Sequence, residues 1–436
     1  MAQPAKPNST EEKNHKTLKP TLGLWSATAI NVGAIIGGGI FVVTGIVAGL
    51  AGSAFVISMT IAAVIALFTA LSFAELTTWQ PVEGSGYEYV RQLVSPFAGF
   101  LSGWMWMIAN TFGGAAVSLG FAYYLAAAFP GLPVNVVAAV TCLGFAGLNF
   151  AGIQQSARLN NVLVIVKLAV LAFFVILGLT RVNSANFLPF EPFSSGVLFG
   201  AYFIFFAYGG FARATIIAEE IKDAKRNVPR AVLLSLVIST VVYVLVGVVA
   251  VGLVGSSSLA GSNSPLTFAI GATRSSLAMQ IVSFGGLVAT ASVLLTAVLG
   301  VSRMAFSMAR RRDLPKALCL VNSRFGTPYV SIWITGFVMA LLAYFVDLTG
   351  VVVVSTFALL FWYVLVNVAA FRLKHENRIY PRLFPVLGFS TCLVLLAVVF
   401  RIAPIAWTVG VACLLAGTAV YVVRRTLRNM AKAAKT

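Results

Sequence analysis

Apolar segments of about 20 residues recur along almost the whole chain, and they limit its possible folds more than any other feature. A helix of about 20 apolar residues has the length that crosses the hydrocarbon core of a bilayer. Charged residues make up only 10% of the chain, whereas soluble domains contain about 25%. The sequence therefore predicts an all-α integral membrane protein with 12 transmembrane helices. The predicted segments are residues 22–50, 54–78, 97–129, 133–150, 158–181, 192–219, 230–255, 277–309, 329–346, 349–371, 383–400 and 403–423.

The distribution of basic residues predicts how these helices are oriented. When the N-terminus is placed in the cytoplasm, nearly all of the 30 lysines and arginines fall at the inner ends of the segments. Arg181, Arg274 and Arg401 fall at the outer ends, and two more basic residues lie inside segments. The positive-inside rule then places both termini in the cytoplasm of a multi-pass protein of the cell membrane. The net charge of +18 thus reflects membrane topology, and we expect lipid rather than nucleic acid as a partner.

Glycines interrupt the first and the sixth apolar segments near their middles. The first contains GAIIGGGIF, with consecutive glycines at residues 37–39, and the sixth contains FFAYGGF, with Gly209 and Gly210. Each glycine weakens a helix by about 1 kcal/mol relative to alanine, so both helices are predicted to break. Interruptions at matching places in two sets of five segments are typical of transporters with inverted repeats. The alternative is that the glycines only permit close helix packing, which is the better interpretation for Gly45 and Gly49.

The repeat hypothesis divides the chain into five parts. Residues 21–182 are predicted to form the first five-helix repeat, and residues 192–374 the second, inverted repeat. Residues 381–423 are predicted to form accessory helices 11 and 12, while residues 1–20 and the basic residues 424–436 form cytoplasmic tails. Two opposed repeats give the fold two bodies that can move against each other.

Broken helices inside hydrocarbon predict a polar cavity, because unwound backbone is tolerated there only where it is buried in protein or lines a cavity. The amides of Gly38, Gly39 and Ile40 are expected to begin the second half of the first helix and to offer N–H donors to an anion. Carbonyls at the ends of the first half-helices, near Ile35 and Phe206, are expected to accept from an ammonium group. The two sites together predict an α-amino acid as the ligand.

Three stretches of the sequence resemble the amino acid-polyamine-organocation superfamily. They are GAIIGGGIF, AELTTWQPVEGSGYEYV at residues 74–90, and AEEIKDAKRNVPRA at residues 218–231, and the correspondence runs in order from residue 24 to residue 371. The resemblance implies a LeuT-type 5+5 inverted repeat with broken helices 1 and 6, plus two accessory helices. It also implies which residues bind the substrate: Gly37, Gly38 and Gly39 for the carboxylate, and the backbone of Ile35, Phe206 and Tyr208 for the amine.

Side-chain selectivity is left open by this resemblance. Phe206 falls where the superfamily often has an aromatic gate, but Gly39 replaces a small hydroxyl residue of several members. Arg213 lies in the sixth segment, where an arginine is not typical. Arg213 either faces the cavity and selects anionic side chains or pairs with Glu219 or another carboxylate in a closed inner gate, and pairing is favoured because intramembrane charges usually pair. Glu75, at the end of the second segment, is expected to be a solvated carboxylate at the interface.

Lys167 lies in NNVLVIVKLAVLAFF, nine residues after the start and 14 residues before the end of the fifth segment. Burying it costs about 3 kcal/mol. The alternative is a lysine that snorkels to an interface, which is disfavoured by the distance at about 1.5 Å of rise per residue. Burial disfavours the charged amine, so that Lys167 can be neutral at physiological pH. Lys167 is therefore predicted to be the proton carrier, which binds and releases a proton during transport. Resemblance to proton-coupled, ApcT-like members of the superfamily implies that it takes the place of a sodium ion and contacts the Gly33 carbonyl and the Ser292 hydroxyl. The same lysine also occurs in exchangers of the superfamily.

The chemistry-bearing residues do not predict an enzyme. Both histidines, His15 and His375, fall in segments predicted to be cytoplasmic, and no acidic pair lies within an apolar segment. No cofactor or metal is expected, and no ring of repeated polar residues indicates a channel pore. We therefore expect a secondary active transporter of amino acids, with proton symport favoured over amino acid exchange. The sequence leaves the oligomeric state unknown.

Overall fold

The computed structural model describes residues 21–82, 84–152 and 157–433. Within these ranges the regular secondary structure is helical, and one isolated parallel bridge joins Leu22 to Ile221. The prediction of an all-α protein is confirmed for this part of the chain. The predicted tail at residues 1–20 lies outside the described residues, as do the last three residues of the predicted basic tail.

Long apolar helices alternate with short turns and with a few helices of one or two turns. In chain order the helices of the described residues are α1 (Leu24–Ile35), α2 (Gly38–Ala51), α3 (Phe55–Trp79), α4 (Gly86–Leu93), α5 (Pro96–Ala128), α6 (Val134–Phe150), α7 (Ala157–Leu179), α8 (Ser195–Tyr208), α9 (Arg213–Ile216), α10 (Ala224–Val254), α11 (Ser256–Ala260), α12 (Pro265–Ile270), α13 (Ser276–Arg310), α14 (Tyr329–Phe345), α15 (Leu348–Arg372), α16 (Leu383–Ile402) and α17 (Pro404–Ala433).

Eight apolar stretches among the described residues are long enough to cross a membrane, judged by length and composition. The first of them, Leu24–Trp79, contains α1, α2 and α3 and so covers the first two predicted segments. Three further apolar helices, α6, α8 and α14, are shorter. Helices therefore occupy all twelve predicted segments, and the number that crosses the bilayer stays a prediction.

The first and the sixth segments are interrupted in the structure. α1 ends at Ile35, α2 begins at Gly38, and the two residues between them leave the helical conformation, with φ −161° and ψ −133° at Gly37. α8 ends at Tyr208, and a turn that contains Gly209 and Gly210 leads to α9. The predicted helix breaks are thus present at the predicted glycines.

α5 runs through the middle of the packed helices, where it contacts α13, α15, α4 and α6. Two glycines on α5 permit close approach by its neighbours: Gly114 faces Met339 of α14, and Gly120 faces Val42 of α2. Small residues at such contacts are the usual means by which membrane helices pack closely. The interrupted helices α2 and α8 contact each other beside α5, and this arrangement positions both breaks in the interior.

Glu75 does not behave as a solvated interfacial carboxylate, and that expectation is wrong. Glu75 is 1% exposed, and its carboxylate accepts hydrogen bonds from the backbone amides of Ile379 and Tyr380, at 3.1 and 3.2 Å. The Arg378 guanidinium completes the site at 3.4 Å. The loop after α15 folds back over the end of α3, and a long-range contact of this kind has no local sequence pattern.

Candidate functional site

A cavity lies where the two interruptions meet, at the place where the glycines predict one. It has about 520 Å³ of empty space, part of it open to solvent. Its walls come from α1, α2, α5, α8, α9, α13 and α15 and from the turn between α8 and α9. The lining residues are Ala34, Ile35, Gly38, Gly39, Ala109, Asn110, Gly113, Gly114, Val117, Phe206, Ala207, Gly209, Gly210, Arg213, Val293, Ala297, Ser355 and Leu359.

The first turn of α2 supplies amides to this cavity. α2 begins at Gly38, and both Gly38 and Gly39 line the cavity. The first N–H groups of a helix have no acceptor within the helix, and no side chain caps this end of α2. These amides and the positive end of the helix dipole suit a carboxylate. Gly37 precedes the helix, packs against Val293 of α13 and is not among the lining residues.

Carbonyls of both broken helices share one hydroxyl, that of Tyr243 in α10. The Tyr243 hydroxyl donates to the carbonyl of Ile35 at 2.6 Å and lies 3.1 Å from the carbonyl of Ala207 in α8. The first halves of the two broken helices are therefore joined at their ends. Tyr243 was not predicted from the sequence, although a tyrosine in the middle of the mostly apolar seventh segment is a usable signal.

Phe206 and Tyr208, both on α8, have different surroundings. Phe206 lines the cavity, and its ring lies close to Gly113 of α5, where an added Cβ would be 3.4 Å from Phe206 Cε2. Tyr208 is fully buried outside the lining, with its ring edge-on to Tyr243 at a centroid distance of 5.1 Å. The structure thus brings one of the two predicted aromatic residues to the cavity wall.

Lys167 of α7 is 1% exposed and lies behind the cavity rather than in its wall. Its Nζ donates to the Gly33 carbonyl in α1 and to the Ser292 hydroxyl in α13, both at 2.8 Å. The Ser292 hydroxyl donates in turn to the carbonyl of Ala289, at 2.9 Å, so its oxygen is free to accept from the amine. The three predicted residues are brought together, and they join α1, α7 and α13 beside the first break.

Arg213 lines the cavity at the start of α9. Its Nη2 donates to Asn110 Oδ1 at 2.8 Å, and its guanidinium lies over the ring of Trp106 at 5.4 Å. Nη1 is buried without a hydrogen-bond partner. No ion pair joins Arg213 to Glu219 in the part of the chain that the structure describes.

Further contacts tie the start of the first broken helix to the end of the second. The Asn31 side chain in α1 accepts from the amide of Ala214 in α9, at 2.7 Å. Before α1, the Leu22 amide donates to the Glu220 carbonyl at 3.1 Å, and the Lys222 amide donates to the Leu22 carbonyl at 2.8 Å. α1 and α9 are therefore linked at two levels, and neither Asn31 nor this backbone pairing was singled out from the sequence.

The sequence profile described as amino acid permease matches residues 22–424 of this chain. An uncharacterized transporter of Mycobacterium tuberculosis is 34% identical to it, covering 99% of this chain and 96% of the relative. The branched-chain amino acid permease BcaP of Bacillus subtilis is 30% identical, covering 90% of this chain and 89% of the relative. The methylthioribose transporter of the same organism is 29% identical and covers 96% of each chain.

Proposed function

The chain belongs to the amino acid permease family, and we propose that it is a secondary active transporter that takes up amino acids together with protons. Membership of this family makes it a multi-pass membrane transporter of the amino acid-polyamine-organocation superfamily and not an enzyme. The names of its relatives include a branched-chain amino acid permease and a methylthioribose transporter. Similarity at this level leaves the substrate side chain open.

The environment of Lys167 is the observation that supports proton coupling. Among the described residues its Nζ has two acceptors, the Gly33 carbonyl and the Ser292 hydroxyl. A neutral amine has two hydrogens to donate, and these two acceptors satisfy both. An ammonium group has a third N–H, for which this conformation offers no acceptor among the described residues. Protonation is therefore expected to favour a different arrangement of α1 against α7.

The cavity supports an amino acid as the substrate. The amides of Gly38 and Gly39 are proposed to bind the carboxylate, and the carbonyls of Ile35 and Phe206 to accept from the amine. Gly37 and Tyr208 belong to the proposed set through their backbone, although neither lines the cavity in this conformation. Phe206, in the cavity wall, is the proposed gate over the occupied site.

The proposed mechanism is alternating access in a LeuT-type fold of 12 helices, with two inverted repeats at residues 21–182 and 192–374. Each break joins two half-helices that can tilt separately, and both line one cavity. Movement of the repeats against each other would then expose the cavity to one side of the membrane at a time. Both termini are proposed to be cytoplasmic, in the cell membrane.

An imposed proton gradient across vesicles without internal substrate tests this proposal. The purified protein in liposomes is expected to accumulate labelled amino acid when the outside is acidified, and a proton ionophore is expected to abolish that accumulation. The alternative function is amino acid exchange, which the resemblance to lysine-bearing exchangers leaves open. Uptake that requires internal amino acid and ignores the gradient would establish exchange and exclude symport.

A further inference from the structure

Arg213 is the charged residue of the cavity wall, and the described residues around it provide no counter-charge. No carboxylate occurs among the residues that line the cavity. Three ion pairs among the described residues involve other arginines: Arg91 with Asp313, Arg311 with Glu88, and Arg378 with Glu75. The neutral amide of Asn110 is the hydrogen-bonding partner of the guanidinium.

An uncompensated guanidinium in a low-dielectric interior is unfavourable, because the desolvation of the charge is not offset by an opposite charge. Such charges in membrane proteins usually pair or mark a substrate pathway. Arg213 lies in the cavity wall without a counter-charge among the described residues, so an anionic group that enters the cavity would supply the missing charge.

This cation and the amides of α2 belong to different broken helices. Gly38 and Gly39 begin the second half of the first broken helix, whereas Arg213 follows the break in the second broken helix. Asn110 and Trp106, both on α5, hold the guanidinium in place through Nη2 and through one face. A planar guanidinium matches the two oxygens of a carboxylate, which suits Arg213 to a second carboxylate on the substrate.

We propose that Arg213 binds the side-chain carboxylate of the substrate and that the preferred substrates are acidic amino acids. This inference rests on the proposed function and names its substrate class. A cationic side chain would bring a like charge against the guanidinium, and an apolar side chain would desolvate it without a partner. The cavity therefore disfavours both classes as well as attracting the acidic one.

Acidic amino acids and their amides form matched pairs that test the inference. The full-length protein in liposomes is expected to take up labelled aspartate or glutamate at least about tenfold better than asparagine or glutamine. A hydrogen bond to a charged group strengthens binding by about this factor or more. Arg213→Gln is expected to remove this preference while it retains uptake of the amides. Arg213→Lys keeps the charge but lacks the planar pair of N–H donors, and it is expected to retain a weakened preference for acidic amino acids. Arg181→Gln, at an exposed position away from the cavity, serves as the control.

Binding measured in detergent, as the rise in unfolding temperature on addition of each amino acid, keeps the test independent of transport. Equal loss of acidic and neutral binding in Arg213→Gln would assign Arg213 to the α-carboxylate or to packing and overturn the inference. A wild-type protein that prefers leucine, lysine or glutamine over glutamate overturns it as well, while amino acid transport itself stands. Absence of binding and of gradient-driven uptake for every amino acid in the panel would overturn the proposed function together with it.

Discussion

Gly39 in the first break packs directly against Ala207 in α8, so closely that a Cβ on Gly39 would overlap the Cα and Cβ of Ala207. The second break has the reciprocal contact. A Cβ on Gly210 would lie 2.5 Å from the amide nitrogen of Ile35 and 2.6 Å from the carbonyl oxygen of Ala34. Each break thus rests on the end of the other helix's first half. The glycines that open the helices also permit the two breaks to touch, so the packing and the cavity interpretations apply to the same residues.

Adding one methyl group at this contact is expected to separate the breaks. Gly39→Ala should lower the unfolding temperature in detergent and abolish substrate binding. The added methyl group would meet the backbone Cα of Ala207, which cannot move aside as a flexible side chain can. Gly144→Ala is the matched control, since Gly144 lies inside α6 with nothing within 4 Å of an added Cβ. That variant is expected to be neutral or stabilising by up to about 1 kcal/mol. Equal stability of the two variants would contradict the close contact.

Gly38 permits a test in which packing and binding separate. An added Cβ would lie 2.5 Å from Cγ2 of the Val117 side chain in α5, so a single Gly38→Val change confounds loss of space with loss of binding. The double variant Gly38→Val with Val117→Ala relieves the overlap and is expected to fold. It should still fail to bind amino acid, because the branched side chain obstructs the amides of α2. Recovery of wild-type affinity in the double variant would remove those amides from the proposed site.

Phe206→Ala is expected to raise the apparent KM for uptake and to increase substrate leak from loaded vesicles. The ring of Phe206 lies in the cavity wall, so its removal opens the space over the proposed site. Phe205→Ala is a comparison on the same helix, since Phe205 is fully buried outside the lining. It should affect stability more than KM. A similar change of KM in both variants would assign Phe206 to general packing of α8.

Tyr243→Phe is expected to lower the free energy of unfolding by about 1–3 kcal/mol, the usual cost of leaving a buried hydrogen-bonding group without its partner. The change removes the hydroxyl that the Ile35 and Ala207 carbonyls share. The ring remains, so loss of packing does not contribute. Thermal or denaturant unfolding in detergent measures the effect, and unchanged stability would show that the shared hydroxyl does not join the two helices.

Local pattern was sufficient to predict the helical segments, the two breaks and the buried lysine. Apolar length and runs of glycine are properties of one stretch of chain, and a lysine in an apolar helix is evident from its neighbours. The contact of Lys167 with Gly33 and Ser292 came from resemblance to a family and not from local pattern. Tyr243 was missed because its importance depends on two carbonyls that are distant in sequence.

The surroundings of charged groups were least predictable. The Glu75 carboxylate accepts hydrogen bonds from Arg378 and Tyr380, which lie in a loop about 300 positions further along the chain. Arg213 was expected to pair with a carboxylate, because intramembrane charges generally pair. Among the described residues its hydrogen-bonding partner is instead Asn110. Which side chains meet across a bundle depends on how the long helices are rotated relative to one another. These helices are apolar on all sides, so their composition does not specify that rotation.

The proton-carrier role of Lys167 predicts how transport and binding respond to its replacement. A proton shifts the conformational equilibrium only by its different affinity for the two states, and here the titrating amine joins α1, α7 and α13. Lys167→Ala removes that amine and should abolish accumulation driven by a proton gradient. Substrate binding that persists in this variant should no longer vary between about pH 5 and 9, the range over which a buried lysine titrates.

Lys167→Arg retains a cation but cannot release its proton in a protein, so it should also fail to couple. Lys316→Ala, in the exposed loop after α13, is the control for loss of one lysine and should behave as wild type. Uptake with and without an inward proton gradient, measured beside binding at each pH, separates coupling from affinity. Gradient-driven accumulation that persists in Lys167→Ala would falsify the proton-carrier role, and Lys167 would then be a tether that holds the Gly33 carbonyl of α1 against α7.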